Sequence, residues 1–153
     1  MKNQTYADIW QKTLSNNEEV NYEFSLGKRY RIGMFIFFGI IAVIITVFKA
    51  AIGIPALLLV AAYYLWYLKV SNAYALTNKR VLIHKGWLST KMISVDHDKI
   101  TNVTVDEPFV SKVFFNTGSL VIDTAGTGGK EIVLKNIEHP YEVKRKLDDL
   151  RES

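Results

Sequence analysis

At 153 residues, with a formal net charge of +4 and no cysteine, the chain excludes disulfides, thiol catalysis and cysteine-based zinc sites. Its basic surplus is mild and carries neither the basic face with interleaved aromatics nor a motif that nucleic-acid binding requires, so no nucleic-acid partner is expected. Hydrophobic residues make up 49% and charged residues 22%, ordinary figures whose average hides one dense apolar block.

Residues 1–31 read as an N-terminal arm. Within "TYADIWQKTL", Tyr6, Ile9, Trp10, Thr13 and Leu14 share one helical face, and Thr5 is placed to cap it. Such a face has two uses: it lies in a membrane interface, with Trp10 against lipid, or it packs on the soluble domain. The clearest basic cluster, Lys28, Arg29 and Arg31, follows just before the apolar block.

From Ile32 to Leu68 the only charged residue is Lys49. The block divides into Ile32–Phe48 and Ala50–Leu68, predicted helices of roughly 26–28 Å against a hydrocarbon core of about 30 Å. Lys49, Gly53 and Pro55 mark the reversal between them. Lipid offers no partners to open backbone, so both segments are expected to be helical. A cleaved signal peptide fits poorly, because an arm of 31 residues precedes the block and a second apolar segment follows at once. A hairpin buried inside a soluble protein would need more chain to cover it. A re-entrant hairpin that never crosses remains open, given the short connection.

Flanking charge sets the expected orientation. Lys28, Arg29 and Arg31 precede the first helix, and Lys69, Lys79 and Arg80 follow the second, so both termini are placed in the cytoplasm of a multi-pass bacterial inner-membrane protein. Tyr30 and the "YYLWYL" run then read as interfacial aromatics. The helices carry no acids or polar stripes, which argues against transport.

After Lys69 the period changes to two. "AYALT" and "RVLIHKG" flank a turn at Asn78-Lys79. "TKMISVDH", "KITNVTVDE", "SKVFF", "SLVIDTAG" and "KEIVLKN" follow, giving seven short predicted strands over residues 70–153. Asn116 and Gly118 in "NTG" tolerate positive φ. Pro140 suits a first helical turn, and Val143, Leu147 and Leu150 form an i, i+4, i+7 stripe on a final helix. The expected fold class is a transmembrane α-helical hairpin followed by a mainly-β domain closed by a C-terminal helix.

Three stretches carry a resemblance: the Tyr-x-x-Thr-Asn-x-Arg start at Tyr74–Arg80, the Gly-Ser-Leu-Val-Ile-x-Thr-Ala-Gly strand from Gly118, and Pro140 before the last helix. Together they resemble the bacterial pleckstrin-homology-like (PH-like) domain of membrane-flanked proteins, over about half the chain. Glu18-Glu19 is similar to an acidic motif that often precedes the first helix in that family. The resemblance implies a PH-like fold with two near-orthogonal antiparallel sheets and a C-terminal α-helix, and it implies no enzymatic activity.

Catalytic and cofactor motifs give no competing reading. "TAGTGGKEI" has Thr124 where a phosphate loop needs Gly and Glu131 where it needs a hydroxyl, and it precedes a strand; a hairpin turn accounts for it better. Asp96, His97 and Asp98 read as a solvated turn rather than a metal site, since His84 and His139 stand at no ligand spacing from them. No Gly-x-Ser-x-Gly elbow is present. No catalytic residue, metal or cofactor is therefore assigned.

Two functions remain. One is a membrane-anchored module that engages a protein partner or a second copy at the cytoplasmic face, with envelope stress or resistance as its setting. The other is an anionic-lipid sensor that uses Lys79, Arg80 and Lys85 of the first hairpin together with Trp10.

Overall fold

A computed structural model of the chain describes residues 6–86, 89–125 and 131–152. Seven antiparallel strands form two sheets. The first sheet orders β1 (Val20–Ser25), β2 (Asn72–Thr77), β3 (Arg80–Lys85) and β4 (Lys91–Asp96); the second orders β5 (Ile100–Asp106), β6 (Thr117–Thr124) and β7 (Ile132–Glu138). The helices are α1 (Ala7–Gln11), α2 (Lys28–Phe48), α3 (Ala50–Ala61), α4 (Leu68–Ser71) and α5 (Pro140–Glu152).

The inner faces of the two sheets meet in one core. Tyr74 and Leu76 of β2 and Val81 and Ile83 of β3 pack with Leu120, Ile122, Leu134 and Ile137 of the second sheet. Val143 and Leu147 on the predicted α5 stripe are fully buried, and Leu150 packs beside them. The outer face of β2 and β3 is also covered. Ala73, Ala75 and Leu82 lie beneath Trp10, with Ile9 and Leu14 alongside. This explains the alternation of small and large residues in "AYAL": the large side chains fill the inter-sheet core, and the alanines leave room for an indole.

The strand count of seven conceals two differences from the sequence reading. "SKVFF" is a π-helical turn, Ser111–Phe115, because its three consecutive apolar residues present no alternation and it has no strand beside it. The seventh strand is β1, from the arm. "VNYEF" alternates as a strand should, and Tyr22 and Phe24 pack on the inter-sheet core. The sheet therefore begins before the apolar helices, and its first two strands pair from Tyr22↔Leu76 to Ser25↔Ala73 across them. At "NTG", Asn116 takes the left-handed conformation (φ 50°), whereas Gly118 is needed for closeness: a Cβ there would lie 2.8 Å from the Asp106 carbonyl oxygen.

The helices follow the apolar block with extended ends. Lys28–Phe48 and Ala51–Ser71 are each 21 residues, long and apolar enough by length and composition to cross a membrane. Reversal takes a single residue, Lys49, while Gly53 and Pro55 fall inside α3. α2 buries Gly39 and Ala42, and the two helices approach closely at Gly53 of α3, where a Cβ would lie 2.3 Å from the Thr46 Cα. Past Ala61 the backbone widens into a π-helical stretch, Ala62–Tyr67, which holds the aromatic run, and α4 then passes directly into β2.

Because Ser25 and Ala73 are paired neighbours, the hairpin occupies the place of an ordinary β-turn. A variant in which a two-residue Asn-Gly turn replaces residues 27–71 should fold as a soluble monomer. A fragment starting at Asn72 exposes the β2 edge and the alanine face, and should aggregate. Size-exclusion chromatography and thermal melts compare the two.

Candidate functional site

The hairpin motif and the acidic motif of the arm turn out to be two halves of one structure. Glu18 is buried beside the β2–β3 turn, with its side chain wholly inaccessible. Its carboxylate accepts from Arg80 Nη2 at 2.7 Å, Arg80 Nε at 2.9 Å, the Thr77 hydroxyl at 2.8 Å and the Ser15 backbone N–H at 2.9 Å. Arg80 Nη2 also donates to the Thr13 carbonyl at 3.0 Å. Asn78 completes the attachment, accepting from the Glu19 N–H at 3.1 Å and donating to the Asn17 carbonyl at 3.2 Å. Thr77, Asn78 and Arg80, the polar residues of the Tyr-x-x-Thr-Asn-x-Arg motif, thus all hold the arm. The Arg80 guanidinium draws the Glu18 carboxyl down to about 2 from an ordinary 4.5, against burial that pushes it up.

This clasp changes the reading of the four residues expected at a lipid surface. Trp10 is 1% exposed under the arm, so its indole meets the sheet and not a bilayer; the packing use of the α1 face is the one observed. Thr5, its expected cap, lies outside the described residues. Arg80 is committed to Glu18, and Lys79 Nζ donates to the Asn16 carbonyl at 3.2 Å. Lys85 pairs across from Asn72, at the helix exit, and its Nζ donates to the Val133 carbonyl at 3.4 Å. Lys79 and Arg80 stand at the other end of the hairpin, roughly 17–20 Å along the strand at ~3.3 Å per residue. The three cations do not form one patch.

The remaining sequence candidates resolve as structure. His97 Nε2 lies 2.9 Å from the Thr77 carbonyl, and Asp96 pairs with Lys99 at 3.0 Å. Among the described residues no group of three metal-ligating side chains comes together. Burial lowers the His84 pKa. The turn of "TAGTGGKEI", residues 126–130, lies outside the described residues.

Two clefts were not legible in the sequence. One, of about 540 Å³, opens between β1, the start of α2 and the helix exit, with Lys28, Arg31, Lys69 and Glu23 at its wall. Arg31 Nη1 reaches the Leu65 carbonyl at 3.4 Å, a carbonyl on the π-helical stretch, and its Nε is buried without a hydrogen-bond partner. Burial raises the Glu23 pKa. The other cleft, of about 670 Å³, separates the β2–β3 turn from the end of α5 and mixes Lys79 and Arg151 with Asp98 and Asp148. Both clefts are walled by charged side chains of either sign.

Two sheets closed by a C-terminal helix, with a motif-bearing first hairpin, define a PH-like binding domain. The model of the bacterial PH domain family matches residues 26–151, and the chain belongs to that family. No curated protein matches. Among solved structures, the chain is similar to a DUF1696 family protein with a pleckstrin-homology domain from Shewanella loihica PV-4, at 11% identity and TM-score 0.53, over 95% of this chain and 92% of that one. It is likewise similar to a pleckstrin homology domain from Shewanella amazonensis SB2B, at 12% identity and TM-score 0.54, over 95% and 84%. The C-terminal domain of an unknown protein from Leishmania infantum matches at 11% identity and TM-score 0.53, over 96% and 98%. At such identities the likeness is one of fold.

The clasp predicts an acid-sensitive stability. The folded Glu18 pKa lies below its unfolded value, so its contribution is full above pH 4.5 and fades as pH falls toward 2. Glu18→Gln should cost on the order of 1–3 kcal/mol at pH 7, the range of hydrogen bonds to a charged group, and flatten the stability profile between those two pH values. Arg80→Met leaves a buried carboxylate unpaired and should cost about 3–5 kcal/mol. Urea titrations across pH measure both.

Proposed function

We propose that this chain is a non-enzymatic, bilayer-anchored PH-like module of the bacterial inner membrane. In this reading α2 and the α3–α4 helix cross the bilayer, both termini lie in the cytoplasm, and the domain engages a protein partner or a second copy at that face. The observation that carries it is the double connection: β1 leads through Leu26-Gly27 into α2, and α4 runs into β2 without a linker. A domain joined to a membrane hairpin at two adjacent points cannot swing as one on a flexible tether does. Its surfaces are held at a fixed height, which raises the effective concentration seen by any partner in the same membrane.

The charge pattern supports the orientation. Lys28, Arg29, Arg31 and Lys69 flank the helices on the domain side, against Lys49 at the tip. Strand edges support the partner class. The sheet edges are β1 and β4 in the first sheet and β5 and β7 in the second; the Leu26↔Ile137 bridge joins the end of β1 to β7, and among the described residues no strand pairs with the outer edge of β4 or β5. An extended segment of a partner, or the same edge of a second copy, would complete the ladder. The lipid-sensing alternative asks the basic hairpin to act as one patch, and its cations are spread over both ends and engaged by carboxylate or carbonyl groups.

Two measurements test this. A fluorescent reporter joined after Ser153 should fluoresce, and an alkaline phosphatase joined there should be inactive; the reverse pattern would overturn the orientation. Photo-crosslinking residues at Ser94 of β4 and Thr104 of β5, in intact membranes, should give a discrete adduct of higher mass, while Lys135 of β7 gives none. Equal labelling at all three, or no adduct at the two edges, would overturn the edge as the interaction surface.

A further inference from the structure

We propose that the helical turn over residues 109–115, between β5 and β6, is a membrane wedge that enters the same leaflet as α2. The inference rests on the anchored reading above and adds a third point of bilayer contact to its two helices.

The turn carries four large apolar side chains into solvent: Phe109 is 76% exposed, Val110 59%, Val113 58% and Phe114 70%. They stand at i, i+1, i+4 and i+5, one face of a helical turn. A soluble surface rarely gathers so much contiguous apolar area without something to cover it. The opposite face is fixed to the protein. Phe115 sits edge-on to Tyr30 at 5.6 Å, and it packs so closely on Gly33 that a Cβ there would lie 2.4 Å from its ring. The Ser111 carbonyl faces the Thr117 hydroxyl at 3.5 Å, and Lys112 pairs with Glu107 at 3.2 Å.

What covers the apolar face follows from where Phe115 docks. Gly33 is the second residue of the apolar run that begins at Ile32. Residues three and four further along a helix share its face, and these are Ile36 and Phe37, 53% and 57% exposed. The wedge is therefore continuous with the lipid-facing side of α2 at the level where that helix leaves the aqueous phase. The occupant is the bilayer interface. A second copy docking on the same face is the competing occupant, and it is an outcome of the test.

The absence of cysteine makes single-site labelling clean. Full-length single-cysteine variants Phe114→Cys, Phe109→Cys, Ile40→Cys and Thr104→Cys would carry an environment-sensitive fluorophore in liposomes of phosphatidylethanolamine and phosphatidylglycerol. The expected result is blue-shifted emission at 114, 109 and 40 and aqueous emission at 104, with lipids nitroxide-labelled near the headgroup quenching 114 and 109 more strongly than 40. Aqueous emission at 114 and 109 beside a lipid-exposed 40 would overturn the wedge and leave the anchor standing. Blue-shifted emission at 114 and 109 without lipid quenching would assign the face to a second copy and also overturn it. Aqueous emission at 40 would overturn the anchored reading and the wedge together.

Discussion

The antiparallel ladder between β1 and β2 is the constraint from which the rest of this molecule follows. Its two strands are neighbours in space with two long apolar helices between them in the chain. An ordinary long insertion would make that pairing entropically costly, since its ends would have to find each other. Here the insertion is an antiparallel helical hairpin turned by one residue, so it delivers its two ends side by side. The same geometry positions the cleft between β1 and the helix exit and aligns Phe115 with Gly33.

A second interaction holds the first in place. β1 is an edge strand, and edges fray unless something secures them. The Glu18 carboxylate does so by gathering a guanidinium, a hydroxyl and a backbone N–H just before β1 begins, while Trp10 covers the outer face of β2 and β3. A buried ion pair offsets its desolvation only when its remaining hydrogen-bonding capacity is filled, and this one fills it from Thr77, Ser15 and Thr13. The polar residues of the hairpin motif thus have a structural purpose. Surface charge at this turn is a poor guide to ligand binding, because the one arginine there faces inward.

Much of the fold was legible in the sequence, for reasons that differ by element. The α5 stripe at Val143, Leu147 and Leu150 and the alternation of β6 are local signals that burial reproduces, whereas in β2 and β3 both faces are buried and the alternation sorts residues between the inter-sheet core and the face under Trp10. Part of the family resemblance, the Tyr74–Arg80 motif and Glu18-Glu19, rested on residues that form the clasp. What was missed is non-local. β1 has a regular alternation, Val20, Tyr22 and Phe24, but it stands on the far side of the apolar block from its partner, and nothing local indicates that the sheet resumes there. Trp10 had an amphipathic signature equally suited to lipid and to protein; only the two alanines of β2 that accept it decide between them. "SKVFF" has the β-branched and aromatic composition of a strand without its period, and composition misled where period did not. The cleft walled by Lys28, Arg31, Lys69 and Glu23 combines three distant segments, and no spacing rule would assemble it.

The split sheet also bears on how the chain is made. Synthesis proceeds from the arm, so Trp10, Glu18 and β1 emerge well before β2, β3 and Arg80. Between the two events the whole helical hairpin is made. Throughout that interval an aromatic side chain, a carboxylate and a strand edge are without their partners, a state open to misassociation. When Arg80 and the alanine face appear, the arm closes onto a strand that the helical hairpin has already brought beside it. Completion of the domain thus waits on the pairing of the two helices, and a chain whose hairpin fails to close would remain open to proteolysis.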